Sequence, residues 1–307
     1  CNCIAMIDLL IEYGLDINSI IKPNNITLIM LAISCAREEM VKMLIKYGAN
    51  VNTILYSNNK KTELSEAVTC GPVCINIIKI LLQEKLTTIN VKSKDEGQTP
   101  LFIAVMYNYN EIAKLLINAG ANLNLFDKQH NTVLIYACKN KNYELVYSLI
   151  KAGVNINNMD RKNNYTALHI ACQMSTYKIV NILLKSGANV NVQTKEGNTP
   201  LIYGCSDNTD EEIVKLLLEY NADINITNIY GMHALMAACI GNNLSIVKII
   251  MNAGGKMQIN IPDINGLTPI MLVSASPSIM KFLLINNANI YQKCNDNKNA
   301  INYTIEL

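Results

Sequence analysis

A recurring six-residue phrase limits what this chain can fold into. Thr99-Pro100-Leu101-Phe102-Ile103-Ala104 returns as Thr132-Val133-Leu134-Ile135-Tyr136-Ala137, as Thr166-Ala167-Leu168-His169-Ile170-Ala171 and as Thr199-Pro200-Leu201-Ile202-Tyr203-Gly204. Looser copies start at Thr27, Thr62, His233, Thr268 and Asn299. From Thr99 to His233 the steps are 33, 34, 33 and 34 residues. A second landmark keeps the same step. It reads Gly48-Ala49-Asn50-Val51-Asn52, then Gly120-Ala121-Asn122-Leu123-Asn124, Gly153-Val154-Asn155-Ile156-Asn157, Gly187-Ala188-Asn189-Val190-Asn191 and Asn221-Ala222-Asp223-Ile224-Asn225. Self-similarity at this period points to a stack of like repeats rather than to one closed core.

Elementary rules build each repeat. The opening threonine suits a helix cap, and a proline behind it loses no useful donor. Leu101, Ala104 and Val105 follow at helical spacing and make one face apolar. A second helix is predicted over residues such as Glu111 to Ile117, with Ile112, Leu115 and Leu116 as its apolar stripe. Gly120 ends it, because glycine takes the left-handed conformation at little cost. A hairpin-like connection then leads to the next threonine. Two such helices cannot bury their apolar faces alone, so the repeats must stack.

The period, the Thr-Pro-Leu-His-like opening and the Gly-Ala-x-x-Asn close resemble the ankyrin repeat family over nearly the whole chain. The resemblance implies an all-α fold, a solenoid of helix-turn-helix repeats joined by β-hairpin-like loops. Residues 1–307 read as one array, with complete repeats starting near 27, 62, 99, 132, 166, 199, 233 and 268. Half repeats at 1–18 and 299–307 lead us to expect a piece of a longer chain. Two repeats depart from the pattern. The step from Thr62 to Thr99 is 37 residues, with Gly71-Pro72 between the helices and no glycine near Lys85. The repeat from Thr268 is short between its helices, at Ser274 to Ser278. The stack is expected to bend or loosen at both. The Asn-, Ile- and Lys-heavy usage resembles ankyrin proteins of large DNA viruses or AT-rich protists.

Composition narrows the chemistry. With 26 basic and 24 acidic residues the net charge is +2, which gives no general pull toward nucleic acid or an anionic membrane. No apolar run approaches the roughly 20 residues of a membrane helix. Ten cysteines raise the question of disulfides or metal. Four of them, Cys138, Cys172, Cys205 and Cys239, each lie six residues after a repeat start. Neighbouring helices pack about 8–10 Å apart. A disulfide needs alpha carbons within about 7 Å. One thiol per repeat therefore neither crosslinks nor gathers four sulfurs around zinc, and the ladder reads as small buried apolar groups. Cys70 and Cys74 flank the Gly-Pro turn, and Cys1 and Cys3 begin the chain; neither pair has a partner set to complete a metal site.

Three histidines are present. His169 holds a helix-start position where it should hydrogen-bond the backbone of its own or an adjacent repeat. His130 stands in place of the usual turn glycine, and His233 in place of the initial threonine. None has a partner placed by a catalytic motif, and there is no phosphate loop, zinc-protease or dinucleotide signature. No enzyme activity, cofactor or metal is expected. Asn52, Asn124, Asn157, Asn191 and Asn225 resemble the positions that asparagine hydroxylases modify in ankyrin proteins, but a turn-closing amide explains them more simply.

The resemblance implies a protein-protein interaction scaffold in the cytoplasm, monomeric in its full-length context and without nucleic-acid or membrane partners. The alternative is the recognition arm of an enzyme or ubiquitin-ligase adaptor encoded in flanking sequence. Partners of this family contact the hairpin tips and the exposed side of the first helix. By repeat position the candidates are Asp95, Glu96, Tyr107, Lys128, Lys139, Lys162, Tyr165, Met174, Lys195, Glu196, Asp207, Ile229, Tyr230, Met232, Ile240, Ile264 and Leu267. Lys128, Lys139 and Lys162 read as a basic stretch. Ile229, Tyr230, Met232, Ile240, Ile264 and Leu267 read as an apolar one, and exposed apolar clusters mark partner contacts.

Overall fold

The recurring threonines are helix caps. Thr27, Thr62, Thr99, Thr132, Thr166 and Thr199 each accept a hydrogen bond, through the side-chain oxygen, from the backbone N–H three residues on. His233 does the same through Nδ1. Each cap satisfies one of the four amides a helix start leaves unpaired and contributes about 1 kcal/mol. Gly120 (φ 83°) closes a second helix as anticipated, and Asn221 (φ 62°) replaces glycine at the same place.

The computed structural model describes residues 2–23, 25–56, 59–206, 209–273 and 276–305. The chain divides into two units, Cys1–Asn155 and Ile156–Leu307. The N-terminal unit begins with α1 (Asn2–Glu12) and an antiparallel pair, β1 (Ile20–Ile21) and β2 (Ile26–Thr27), with Ile20 opposite Thr27. It continues with α2 (Leu28–Ser34), α3 (Glu38–Lys46), α4 (Glu63–Cys70), α5 (Ile75–Gln83), α6 (Pro100–Met106), α7 (Asn110–Asn118), α8 (Val133–Lys139) and α9 (Tyr143–Lys151). First helices α2, α4, α6 and α8 pack side by side in one layer, and α3, α5, α7 and α9 in another. The C-terminal unit holds α10 (Ala167–Gln173), α11 (Tyr177–Lys185), α12 (Pro200–Gly204), α13 (Glu211–Glu219), α14 (Ala234–Ile240), α15 (Leu244–Asn252), α16 (Pro277–Ile285) and α17 (Ala300–Ile305). There α10, α12 and α14 form the first-helix layer, and α11, α13, α15 and α16 the second.

The core lies between the layers. Leu101, Ala104 and Val105 are fully buried on α6, and Ile112 and Leu116 on α7, as the spacing predicts, while Leu115, expected on the same stripe, is half-buried. Each fully buried leucine or isoleucine contributes about 1.5–3 kcal/mol. Asparagines link one repeat to the next. Asn124 Oδ1 accepts from Asn155 N–H and Asn157 Oδ1 from Asn189 N–H, each at 2.8 Å, while Asn157 Nδ2 donates to Gly187 O at 3.1 Å.

The two irregular repeats resolve differently. Between α4 and α5 a 3-10 turn (Gly71–Cys74) starts at Gly71 with φ 77°, and a Cβ there would lie 2.9 Å from the Tyr109 ring. Cys74, Ile77, Ile78 and Leu81 are buried, so the interior stays closed. Residues Glu63–Gln83 together are long and apolar enough to cross a membrane by length and composition, which amends the sequence reading. The chain turns back at Gly71, and α4 packs on α5 within the stack. After Thr268 the first helix is reduced to a 3-10 turn (Met271–Val273), and Thr268 N–H donates to Met271 Sδ at 3.5 Å. Ser274 lies outside the described residues. The second helix, α16, starts at Pro277, nine residues after Thr268, against eleven from Thr166 to Tyr177.

Cys138, Cys172, Cys205 and Cys239 are buried in the first-helix layer, and none is in a disulfide. Burial pushes the Cys138 and Cys205 thiols far up and the Cys239 thiol up to about 12. The thiolate, not the thiol, attacks a thiol reagent. Mass spectrometry after native labelling should therefore find exposed Cys35 modified early and these four only on unfolding. Early modification of all four would show the register to be wrong.

Candidate interaction surface

The hairpin tips are joined through main-chain atoms. In the N-terminal unit Lys94 N–H donates to Asn59 O (3.0 Å) and Lys128 N–H to Glu96 O (2.8 Å). In the C-terminal unit Lys195 N–H donates to Asn163 O, Ile229 N–H to Glu196 O and Asn295 N–H to Asn265 O at 2.9 Å, and Ile264 N–H to Tyr230 O at 3.0 Å. The approach is close: a Cβ on Gly197 (φ 80°) would sit 2.8 Å from Asn228 Cα.

Short polar side chains hold each tip from inside. Asp160 Oδ1 accepts from Asn163 N–H (2.6 Å) and Oδ2 from Tyr165 N–H (3.2 Å). Asn228 Oδ1 accepts from Tyr230 and Met232 N–H at 2.9 Å. Asp263 Oδ1 accepts from Asn265 (2.9 Å) and Leu267 (2.8 Å) N–H. The sequence reading missed these braces. Their signal was a short polar residue recurring five or six positions before each repeat start, as at Asp127, Asp160, Thr194, Asn228 and Asp263.

His169 braces the same strip from below. Its Nδ1 accepts from Thr166 N–H at 3.1 Å, which leaves Nε2 to donate toward Val192 O (3.1 Å) and Asn198 O (3.2 Å) of the next repeat. It thus bonds both its own and an adjacent repeat, as its position suggests. Burial holds the imidazole neutral, its pKa lowered to about 4. His130 does take the left-handed turn conformation (φ 62°).

The candidates of the N-terminal unit, Asp95, Glu96, Tyr107, Lys128 and Lys139, are exposed. Lys139 is tied down, with Nζ donating to Asn131 Oδ1 at 3.0 Å and lying 5.5 Å from the Tyr136 ring centre. Lys128 and Lys139 belong to the N-terminal unit and Lys162 to the C-terminal unit. In that unit Lys162, Lys195 and Glu196 are exposed, as are Ile229 (59%), Tyr230 (47%), Ile240 (53%) and Ile264 (58%). These values decide one question: the apolar tips do not bury one another. Met174, Met232 and Leu267 are half-buried. Tyr165 is also half-buried because its hydroxyl meets that of Tyr203 and its ring stands edge-on to His169. Asp207, Cys1 and the Cys3 side chain lie outside the described residues. Cys74 is buried with Sγ 3.5 Å from Ile33 O. Among the described residues no three His, Cys, Asp or Glu side chains are grouped to hold a metal.

Paired helices stacked in two layers, with a braced row of variable tips, define a helical-repeat solenoid. The chain belongs to the ankyrin repeat family: the family described as "Ankyrin repeats (3 copies)" matches residues 1–95, 64–160, 141–228 and 207–294. Proteins of this family are generally protein-protein interaction modules. A fowlpox virus (strain NVSL) protein described as an ankyrin repeat protein is 41% identical over 63 residues, 20% of this chain. That match spans 32% of the relative's own length.

Proposed function

We propose that this chain is a protein-interaction scaffold that holds its partner on the hairpin tips and the exposed first-helix face of the C-terminal unit. The observation that carries the reading is the exposed apolar run Ile229, Tyr230 and Ile264 on tips that their main chains hold in fixed register. Water-facing aliphatic and aromatic groups on consecutive tips gain free energy only when covered. Tyr230 is the natural anchor, since a rigid aromatic loses little conformational entropy on binding. Ile240, at the end of α14, extends the contact to the first-helix face.

The test begins with a partner captured by affinity purification and reconstituted with pure protein. Changing Tyr230→Ser and Ile240→Ser together should weaken binding at least about thirtyfold, equivalent to one interface hot spot of about 2 kcal/mol. The melting temperature should barely move, because both side chains are exposed. Unfolding of the adjacent repeats, or unchanged affinity, would remove this patch as the recognition surface.

A further inference from the structure

We infer that Cys70 and Cys74 are a redox-active pair, which a low-molecular-weight disulfide of the glutathione class oxidises to a bridge across the Gly71–Cys74 turn. The pair belongs to the N-terminal unit and is independent of partner binding at the tips. Cys70 ends α4, and Cys74 ends the 3-10 turn that leads into α5. The two side chains hydrogen-bond each other, so the sulfurs have little distance to close. The ladder thiols differ, because Cys138, Cys172, Cys205 and Cys239 each stand alone in a repeat.

The pair is asymmetric. Cys70 is half-buried beside a turn whose Val73 is 70% exposed, so a reagent reaches it from solvent. Cys74 is fully buried, and its S–H donates to Ile33 O of the preceding repeat. Cys70 therefore attacks first. It loses its proton to water, and its thiolate displaces one reagent thiolate, which takes a proton up again. A mixed disulfide is left on Cys70. Cys74 then loses its proton and attacks the Cys70 sulfur, and the second reagent thiol departs. Two protein thiols are oxidised, and one reagent disulfide is reduced to two thiols. Burial and then the Glu66 carboxylate raise the Cys70 thiol, whereas Cys74 S–H and Lys61, paired with Glu66 at 2.7 Å, favour its charged form. Cys74 is pushed up to about 11, by burial first. Both steps are therefore slow, taking minutes to hours. The bridge withdraws the Cys74 S–H from Ile33 O but does not strand that carbonyl, since Ala36 N–H also donates to it at 2.8 Å. Cys35, exposed at the end of α2, is the competing partner for Cys70.

Oxidised glutathione added to the native full chain, followed by acid quenching, alkylation and trypsin digestion, tests this. Trypsin releases Thr62–Lys79, which holds Cys70, Cys74 and no other cysteine. Mass spectrometry should find this peptide lighter by two hydrogens and closed to the alkylating reagent, with the four ladder cysteines still reduced. In Cys74→Ser the mixed disulfide on Cys70 has nothing to resolve it, and should be at least about tenfold more abundant than in wild type. In Cys70→Ser, buried Cys74 should stay reduced. Should either variant fail to fold, the wild-type peptide decides. A bridge from Cys70 to Cys35, lasting glutathione on both cysteines of the wild type, or a pair that oxidises only in urea would overturn the inference.

Discussion

Replacing His169 with leucine should destabilise the repeats around α10 and α12 by about 3 to 5 kcal/mol. Leucine has comparable bulk but leaves Thr166 N–H and the carbonyls of Val192 and Asn198 without the imidazole, in a site where His169 is fully buried. Each buried polar group so stranded costs about 1–3 kcal/mol. The readout is amide hydrogen exchange in α10 and α12, which reports local rather than global stability. The wild type adds a pH signature. Burial lowers the His169 pKa from 6.5 to about 4. Above pH 6.5 the ring is neutral in both states. Between 6.5 and about 4 the unfolded chain takes up a proton that the folded chain refuses, so stability falls with pH, by at most about 3 kcal/mol. The leucine variant should lack this slope. An equal slope in both proteins would place the acid sensitivity elsewhere.

The N-terminal unit should respond to acid in the opposite sense, through Glu63. This side chain is fully buried, and its Oε2 accepts from Thr53 N–H at 3.1 Å. Burial raises the carboxyl from 4.5 to about 7, against the hydrogen bonds that favour its charged form. Between those values the folded state keeps a proton that the unfolded state has released. Stability therefore rises as pH falls from about 7 to 4.5, by about 3 kcal/mol in all. Glu63→Gln keeps an acceptor and has no proton to lose. Above pH 7 it should be about 2 to 3 kcal/mol more stable than wild type, and near pH 4.5 about equal to it. Exchange rates in α4, compared between the two proteins across this range, measure the difference. A constant difference would mean that Glu63 does not titrate in this window.

These two residues also mark how far the sequence can be read. His169 was legible because its position recurs, so a polar ring there had to bond its neighbours. The same held for the threonine caps and the cysteine ladder, since repetition averages out the local accidents that obscure a single element. Glu63 was not legible. An acid in the first turn of a helix ordinarily faces water and favours the helix dipole. Only the register shows that this place, held elsewhere by Pro100, Val133, Ala167 and Pro200, points into the stack. Tyr165 was expected on the partner-facing side, but it is half-buried because its hydroxyl meets that of Tyr203, 38 residues away. The turns between paired helices were hidden for another reason. Asn108, Lys141, Ser175 and Asn242 all hold positive φ there, and no shared residue type announces it.

The strip of tips also bears on how such a protein changes over generations. Its register is kept by amide and carbonyl groups that every residue except proline supplies, and by side chains that sit beneath the surface. A substitution at Lys162, Lys195, Ile229, Tyr230 or Ile264 alters what a visitor meets and leaves the main-chain bonds between hairpins in place. Preference for one partner can therefore drift to another by single steps, each passing through a chain that still folds. Gly197 and Gly266 are exceptions: crowded against Asn228 and Cys294, they should be far less free to vary than their exposed neighbours.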